Sequence, residues 1–214
     1  MVLKIENIGK EIKKTRVLDN ISMELHSGRA VGLKGRNGSG KTMLMRMIAG
    51  LIFPTEGRIT IDGEVLGTDI AFPKSIGILL ENPAFLENHT GYQNLKILAD
   101  IEGKIGDKEI NKAIWRVGLD SNDLKKYKKY SLGMKQRLGI AAAIMEKPDL
   151  LILDEPTNAL DDSGIELLQK IVREETERGA LVILSCHDGE LLKGMTDEIY
   201  ELDCGRARKV ENNE

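Results

Sequence analysis

Cysteine is nearly absent from this chain: Cys186 and Cys204 are the only two among 214 residues, and no CxxC spacing is present. A disulfide framework and a thiolate metal site are therefore not indicated, and two ordinary thiols suit a reducing cytoplasm. No apolar run approaches the roughly 18 residues of a membrane span. The start, Met1-Val2-Leu3-Lys4-Ile5-Glu6, reads as a strand and lacks the pattern of a secretory signal. Any membrane role is thus expected to come through a partner. The chain has no excess of positive charge either; its net charge of −3 argues against a protein that coats nucleic acid. The basic stretch Lys125-Lys126-Tyr127-Lys128-Lys129 is the local exception and reads as a solvated segment before a helix. Internal repeats and low-complexity tracts are also missing. With 41% hydrophobic and 30% charged residues, what remains is a soluble, globular composition. Its length suits one domain, or one core with a subdomain.

The most informative segment is Gly35-Arg36-Asn37-Gly38-Ser39-Gly40-Lys41-Thr42. It follows the apolar run Ala30-Val31-Gly32-Leu33 and opens a run of helix formers, Met43 to Ala49. Strand, glycine loop and helix in that order form the context of a phosphate-binding loop. Glycines let successive N–H groups turn into one concavity, and the helix start adds unpaired N–H groups and a positive dipole end. Lys41 would reach the outer phosphates, and the Thr42 hydroxyl would take one Mg²⁺ position. The dinucleotide pattern GxGxxG fails, because Met43 stands where its third glycine belongs. The loop is read as holding a nucleoside triphosphate.

Around it, strands are expected at Val2–Ile8, Val17–Leu25, Ala30–Lys34, Gly57–Ile61 and Ile76–Leu80. Gly50 is a plausible stop for the helix after the loop. From about Thr90 to Met145 apolar residues recur at three and four, which predicts helices. Leu150–Leu153 and Leu181–Leu184 are continuous apolar runs, as in parallel strands covered on both faces, with an amphipathic helix near Gly164–Thr176 between them. A short hairpin is expected around Asp203-Cys204-Gly205. The fold class is α/β: a nucleotide-binding core with an antiparallel β part and a helical insertion.

Asp154 and Glu155 end the apolar strand Leu150–Leu153, whose C-terminal end would face the ligand crevice. An acid there can hold Mg²⁺, and a second one can polarise an attacking water. His187 follows the last apolar run and would reach the same edge; the residue alone leaves a structural role equally open.

The order of the glycine loop, Ser131-Leu132-Gly133-Met134-Lys135-Gln136-Arg137, Leu153-Asp154-Glu155-Pro156-Thr157-Asn158-Ala159-Leu160-Asp161 and His187 resembles the nucleotide-binding domain of an ATP-binding-cassette (ABC) protein. The resemblance runs from Val2 to about Val210 and implies a P-loop NTPase fold. It implies one ATP-binding domain over residues 1–214, with a core at about 1–81 and 147–214 and a helical subdomain at about 82–146. It further implies ATP and Mg²⁺ as cofactors, Asp154 as a Mg²⁺ support, Glu155 as general base, and His187 on the γ-phosphate. Ser131, Leu132, Gly133 and Met134 stand in the family's signature, which meets the γ-phosphate bound by the opposite subunit. Asn158 to Asp161 form the loop that crosses that dimer interface.

Three departures from the family pattern are visible. The signature reads Ser-Leu-Gly-Met rather than Ser-Gly-Gly-Gln. The glutamine that contacts Mg²⁺ and senses the transporter partner is replaced by Glu81, in Ile78-Leu79-Leu80-Glu81-Asn82-Pro83. A carboxylate binds Mg²⁺ more strongly than an amide but cannot donate a hydrogen bond; a shifted alignment, with Glu81 merely capping a turn, is the other reading. The aromatic that stacks on adenine falls near Ile12, so Ile12 and Val17 are the expected base contacts and weaker base selectivity follows. Glu81, the signature and His89-Thr90-Gly91-Tyr92-Gln93-Asn94-Leu95 resemble the bacterial peptide-antibiotic exporters of lantibiotic-immunity and bacitracin-resistance type.

That resemblance implies an ATPase that drives export through separate transmembrane permease subunits from the cytoplasmic face of the membrane. It also implies a homodimer, or a heterodimer with a second ATPase subunit. Pro83 to Leu86 offer an apolar patch for the membrane partner, with covered loop packing as an equal alternative. A soluble ABC ATPase that assembles complexes, as in iron–sulfur cluster assembly, is the other functional reading.

Overall fold

A computed structural model describes residues 1–81 and 83–210. Asn82, at the expected start of the insertion, and the last four positions of the chain lie outside the described residues. Ten strands and six α-helices, numbered in chain order, occur among the described residues. β1 (Val2–Ile12), β2 (Thr15–His26), β4 (Glu56–Ile61) and β5 (Glu64–Val65) form an antiparallel sheet in the order β2-β1-β4-β5. β3 (Ala30–Lys34), β6 (Ile76–Leu79), β7 (Leu150–Leu153), β8 (Leu181–Ser185), β9 (Glu198–Asp203) and β10 (Arg206–Val210) form the second sheet, ordered β10-β9-β3-β8-β7-β6. Its strands run parallel except for the β9–β10 hairpin. The fold is thus α/β with a mixed sheet and a separate antiparallel sheet, as expected.

β7 and β8 are buried at every position, which explains their unbroken apolar runs. α1 (Lys41–Ile48) follows the glycine loop, and α5 (Asp162–Glu177) and α6 (Gly189–Lys193) accompany β7 and β8. α2 (Gly91–Glu102), α3 (Asp107–Arg116) and α4 (Leu132–Ile144) lie between β6 and β7 in the chain. A capping box starts α2: the Thr90 hydroxyl accepts from Gln93 N–H, and the Gln93 side chain accepts from Thr90 N–H.

The structure differs from the sequence expectations in four places. β1 and β2 extend past the apolar pattern because their hairpin keeps pairing out to Ile12 and Thr15, through exposed polar residues. The helical stretch is interrupted over 117–131: Gly118, at φ 72°, stops α3, and Asp120 and Asp123 accept from Asn122 and Lys125 N–H in turns. Tyr127 within the basic stretch is buried, while Lys125, Lys128 and Lys129 are exposed. The short β5 and α6 carry no periodic signal; α6 starts where the Asp188 carboxylate accepts from Glu190 and Leu191 N–H.

α3 is fastened to α5 through a buried charge cluster. Arg116 donates to Glu175 at 2.7 Å and to Glu174 at 2.8 Å, and Arg178 donates to the other Glu175 oxygen at 2.6 Å. Glu175 is only 2% exposed, so both arginines are needed to compensate its carboxylate.

Candidate nucleotide site

The glycine loop joins the C-terminal end of β3 to α1 and is bounded by neighbouring backbone. A Cβ on Gly35, at φ 155°, would stand 2.3 Å from the Leu202 carbonyl; one on Gly40, at φ 108°, would stand 2.5 Å from the Leu18 side chain. Only glycine fits both positions without moving β2 or β9. The turn after β9 supports the loop directly, since Gly205 N–H donates to the Ser39 carbonyl at 3.2 Å. No side chain caps α1, which leaves its first N–H groups available to an anion. Lys41 is buried and donates to the Gly35 carbonyl at 2.7 Å, so its ammonium lies across the loop. Arg36, Asn37 and Gly38 are exposed. The Ser39 hydroxyl is buried without a partner.

Thr42 and Asp154 come together at the base of the loop. The Thr42 hydroxyl donates to one Asp154 oxygen at 2.6 Å, and the Ser185 hydroxyl donates to the other at 2.6 Å. β7 places Asp154 there, and the Asp154 N–H donates to the Leu79 carbonyl at the end of β6. Among the described residues no group of three or more His, Cys, Asp or Glu side chains could hold a metal by itself. Thr42 and Asp154 nevertheless form the oxygen donor set a hard divalent cation prefers when phosphate oxygens complete its shell.

Glu155 takes a left-handed backbone, φ 49°, immediately after β7, a conformation that costs free energy for a non-glycine residue. Its N–H donates to the Ser185 hydroxyl at 2.8 Å. His187 Nε2 stands 3.3 Å and Lys41 Nζ 3.8 Å from Glu155 Oε1. Both Glu155 carboxylate oxygens are buried, and neither accepts a hydrogen bond. A mostly buried carboxylate with unfilled acceptors beside a phosphate loop is suited to receive a proton.

Ser131 caps α4, its hydroxyl accepting from Met134 N–H at 3.2 Å. Leu132 is largely exposed, and Gly133 lies so close to Ala159 that a Cβ would approach its carbonyl to 2.7 Å. The signature segment and the Asn158–Asp161 loop are therefore packed on each other within one chain. Arg137 strengthens this by donating to Asp161 at 2.6 Å and to the Val117 carbonyl at 3.0 Å. With the Gly164 N–H and the Ser163 hydroxyl, it holds the Asp161 carboxyl below the usual carboxylate range.

The expected base contacts are spread along one hairpin. The Val17 carbonyl would lie 3.3 Å from a Cβ on Gly40, whereas Ile12 pairs with Thr15 at the far end of β1 and is partly exposed. Glu81 follows β6 at φ 59°, and its exposed carboxylate accepts from Arg46 on α1 at 2.6 Å. Thr42 and Arg46 are one helical turn apart, so Glu81 lies along α1 from Thr42 and is paired to a cation rather than to Thr42 or Asp154. Phe85 packs against Tyr127 while Leu86 stays half exposed, so Pro83–Leu86 is partly packed loop and partly apolar surface.

Two supporting residues were not singled out from sequence. Ser185, fully buried, bridges Asp154 and Glu155; a polar residue ending the apolar run Leu181–Leu184 was its only signal. Gln136, also buried, donates to the Glu155 and Pro156 carbonyls at 3.3 and 3.2 Å, tying α4 to the bend after β7.

A family model described as ABC transporter matches residues 18–158. The chain is 49% identical over 210 residues to the uncharacterized ABC transporter ATP-binding protein YybJ of Bacillus subtilis, covering 98% of this chain and 96% of the relative. It is 42% identical over 188 residues to the bacitracin transport ATP-binding protein BcrA of Enterococcus faecalis, covering 87% of this chain and 61% of that protein. Against the lantibiotic transport ATP-binding protein SrtF of Streptococcus pyogenes, identity is 37% over 204 residues, with 94% and 87% covered. The solved structure of an ATP-binding subunit of an ABC transporter superposes with a TM-score of 0.88 at 26% identity, over 100% of this chain and 91% of that one.

Proposed function

The chain belongs to the ABC transporter family, and on that premise we propose that it is the ATP-hydrolysing subunit of an exporter, with a peptide antibiotic as the substrate class. Within its family it falls with the antibiotic-exporter branch, and it binds ATP. The observation that carries hydrolysis is Glu155, whose two buried carboxylate oxygens accept no hydrogen bond while Oε1 faces Lys41 and His187. The whole chain acts as one ATP-binding domain, with α2 to α4 as its helical subdomain.

In this reading the triphosphate lies on Gly35 to Thr42, with its charge met by the loop N–H groups and Lys41. Lys41 exchanges the Gly35 carbonyl for phosphate oxygens. Glu155 orients a water in line with the γ-phosphate and takes its proton, and His187 positions the γ-phosphate. Thr42 and Asp154 would hold Mg²⁺, which neutralises phosphate charge, and Glu81 is a further oxygen donor once released from Arg46. Ser131 to Met134 of a second copy complete the site from the opposite side, because an exposed helix start with a hydroxyl suits the γ-phosphate.

The transport partner is a set of separate permease subunits, and the chain sits against them at the cytoplasmic face of the membrane. Among the described residues no helix is long and apolar enough to cross a membrane. The contact surface includes Glu81 and the half-exposed Leu86. The experiment is transport and ATPase measured together, in the complex copurified with its membrane subunits. Glu81→Gln is expected to change the ratio of substrate-stimulated to basal hydrolysis. If both transport and ATPase stay unchanged, Glu81 has no part in coupling.

A further inference from the structure

Tyr127 has no part in the phosphate chemistry, yet it is 4% exposed and held on several sides. Its hydroxyl donates to the Pro83 carbonyl at 2.6 Å, across 44 residues of chain. Its ring receives Phe85 edge-on, with centroids 5.3 Å apart and planes at 76°. Its N–H donates to the His89 carbonyl at 2.8 Å, and the Lys128 N–H donates to the Glu87 carbonyl at 3.1 Å. The loop from Pro83 to His89, which includes the proposed membrane-facing Leu86, is thus pinned to Tyr127 and Lys128 by backbone and side chain together.

On its other side Tyr127 meets the signature. Its ring lies 5.8 Å from that of Tyr130, the residue before Ser131, and the Lys135 ammonium sits 5.0 Å above it from the first turn of α4. Tyr130 also packs at the start of α2, where a Cβ on Gly91 would approach its hydroxyl to 2.5 Å. Burial pushes the Tyr127 phenol above its ordinary range, so the hydroxyl remains a donor wherever the protein works. Two surfaces that must respond to each other in a transporter therefore share one buried side chain. Ser131 has two states, free or engaged with nucleotide, and a body pinned at several points carries that difference as a unit rather than absorbing it.

We propose that Tyr127 is a positioning residue that makes the loop Pro83–His89 and the Ser131 end of α4 move as one body, so that nucleotide engagement at Ser131 is transmitted to the membrane-facing loop. This rests on the reading that Ser131 closes on the nucleotide of a second copy. Tyr127→Phe removes the bond to Pro83 and keeps the ring. Phe85→Leu keeps that bond and removes the ring edge.

The test is hydrogen–deuterium exchange of residues 84–89 in a Glu155→Gln background, with and without ATP, alongside light scattering for the dimer. ATP is expected to slow exchange in this loop in the parent. In Tyr127→Phe the slowing should shrink by about three- to tenfold, the worth of one neutral hydrogen bond, while the ATP-dependent dimer and protection at the start of α4 persist. Phe85→Leu should act in the same direction. Equal slowing in the parent and Tyr127→Phe would overturn the inference alone, as would loss of the dimer in Tyr127→Phe. Failure of the parent itself to form an ATP-dependent dimer would overturn the closure reading and this inference with it.

Discussion

Glu155→Gln is expected to lower ATP turnover by about 10²–10⁴-fold while leaving ATP binding in place. The amide has the carboxylate's shape, so the strained backbone at φ 49° and the bond from Glu155 N–H to Ser185 persist. What disappears is the ability to accept a proton from water next to His187 and Lys41. The nucleotide contacts proposed for Gly35 to Thr42 would be untouched. The variant should therefore accumulate an ATP-bound dimer, visible by light scattering, with phosphate release nearly abolished. Undiminished phosphate release would remove Glu155 from the role of base.

Glu175→Ala is expected to destabilise the protein by roughly 3–5 kcal/mol, the cost of stranding buried charge. The two arginines that now share its carboxylate, Arg116 on α3 and Arg178 after α5, would lose that partner together. At about 2–4 °C per kcal/mol for a chain of this size, the melting temperature should fall by roughly 6–20 °C. Arg116 would retain Glu174, which is much more exposed and weakly compensating. A melting temperature unchanged from the parent would mean that the pairing of Glu175 with Arg116 and Arg178 contributes nothing net.

These two residues also show where sequence reading succeeds and where it stops. Glu155 was legible because it ends an unbroken apolar run, and β7 is buried at all four positions. The glycine loop was legible because its residues are contiguous and stand between an apolar run and a run of helix formers. Glu175, by contrast, lies on a helix with ordinary amphipathic spacing. Its partner Arg116 stands 59 residues away, and no local pattern marks two charges that meet only after α3 and α5 are placed. Ser185 and Gln136 escaped notice for the same reason, since each acts through backbone or carboxylate groups of another element. Glu81 was visible as a departure from the family pattern, but its pairing with Arg46 required α1 and the end of β6 to be brought together.

On the proposed closure, the loop Gly35–Thr42 is half of a site whose other half is Ser131 to Met134 on a second copy. This arrangement is tested most directly by cross-linking two differently tagged copies in a Glu155→Gln, Cys204→Ser background, one carrying Asn37→Cys and the other Leu132→Cys. Asn37 and Leu132 are exposed, and the remaining native thiol, Cys186, is 2% exposed. With a short bismaleimide, a product joining the two tags is expected when ATP is present and little or none without nucleotide. ATP binding with no such two-chain product would contradict it.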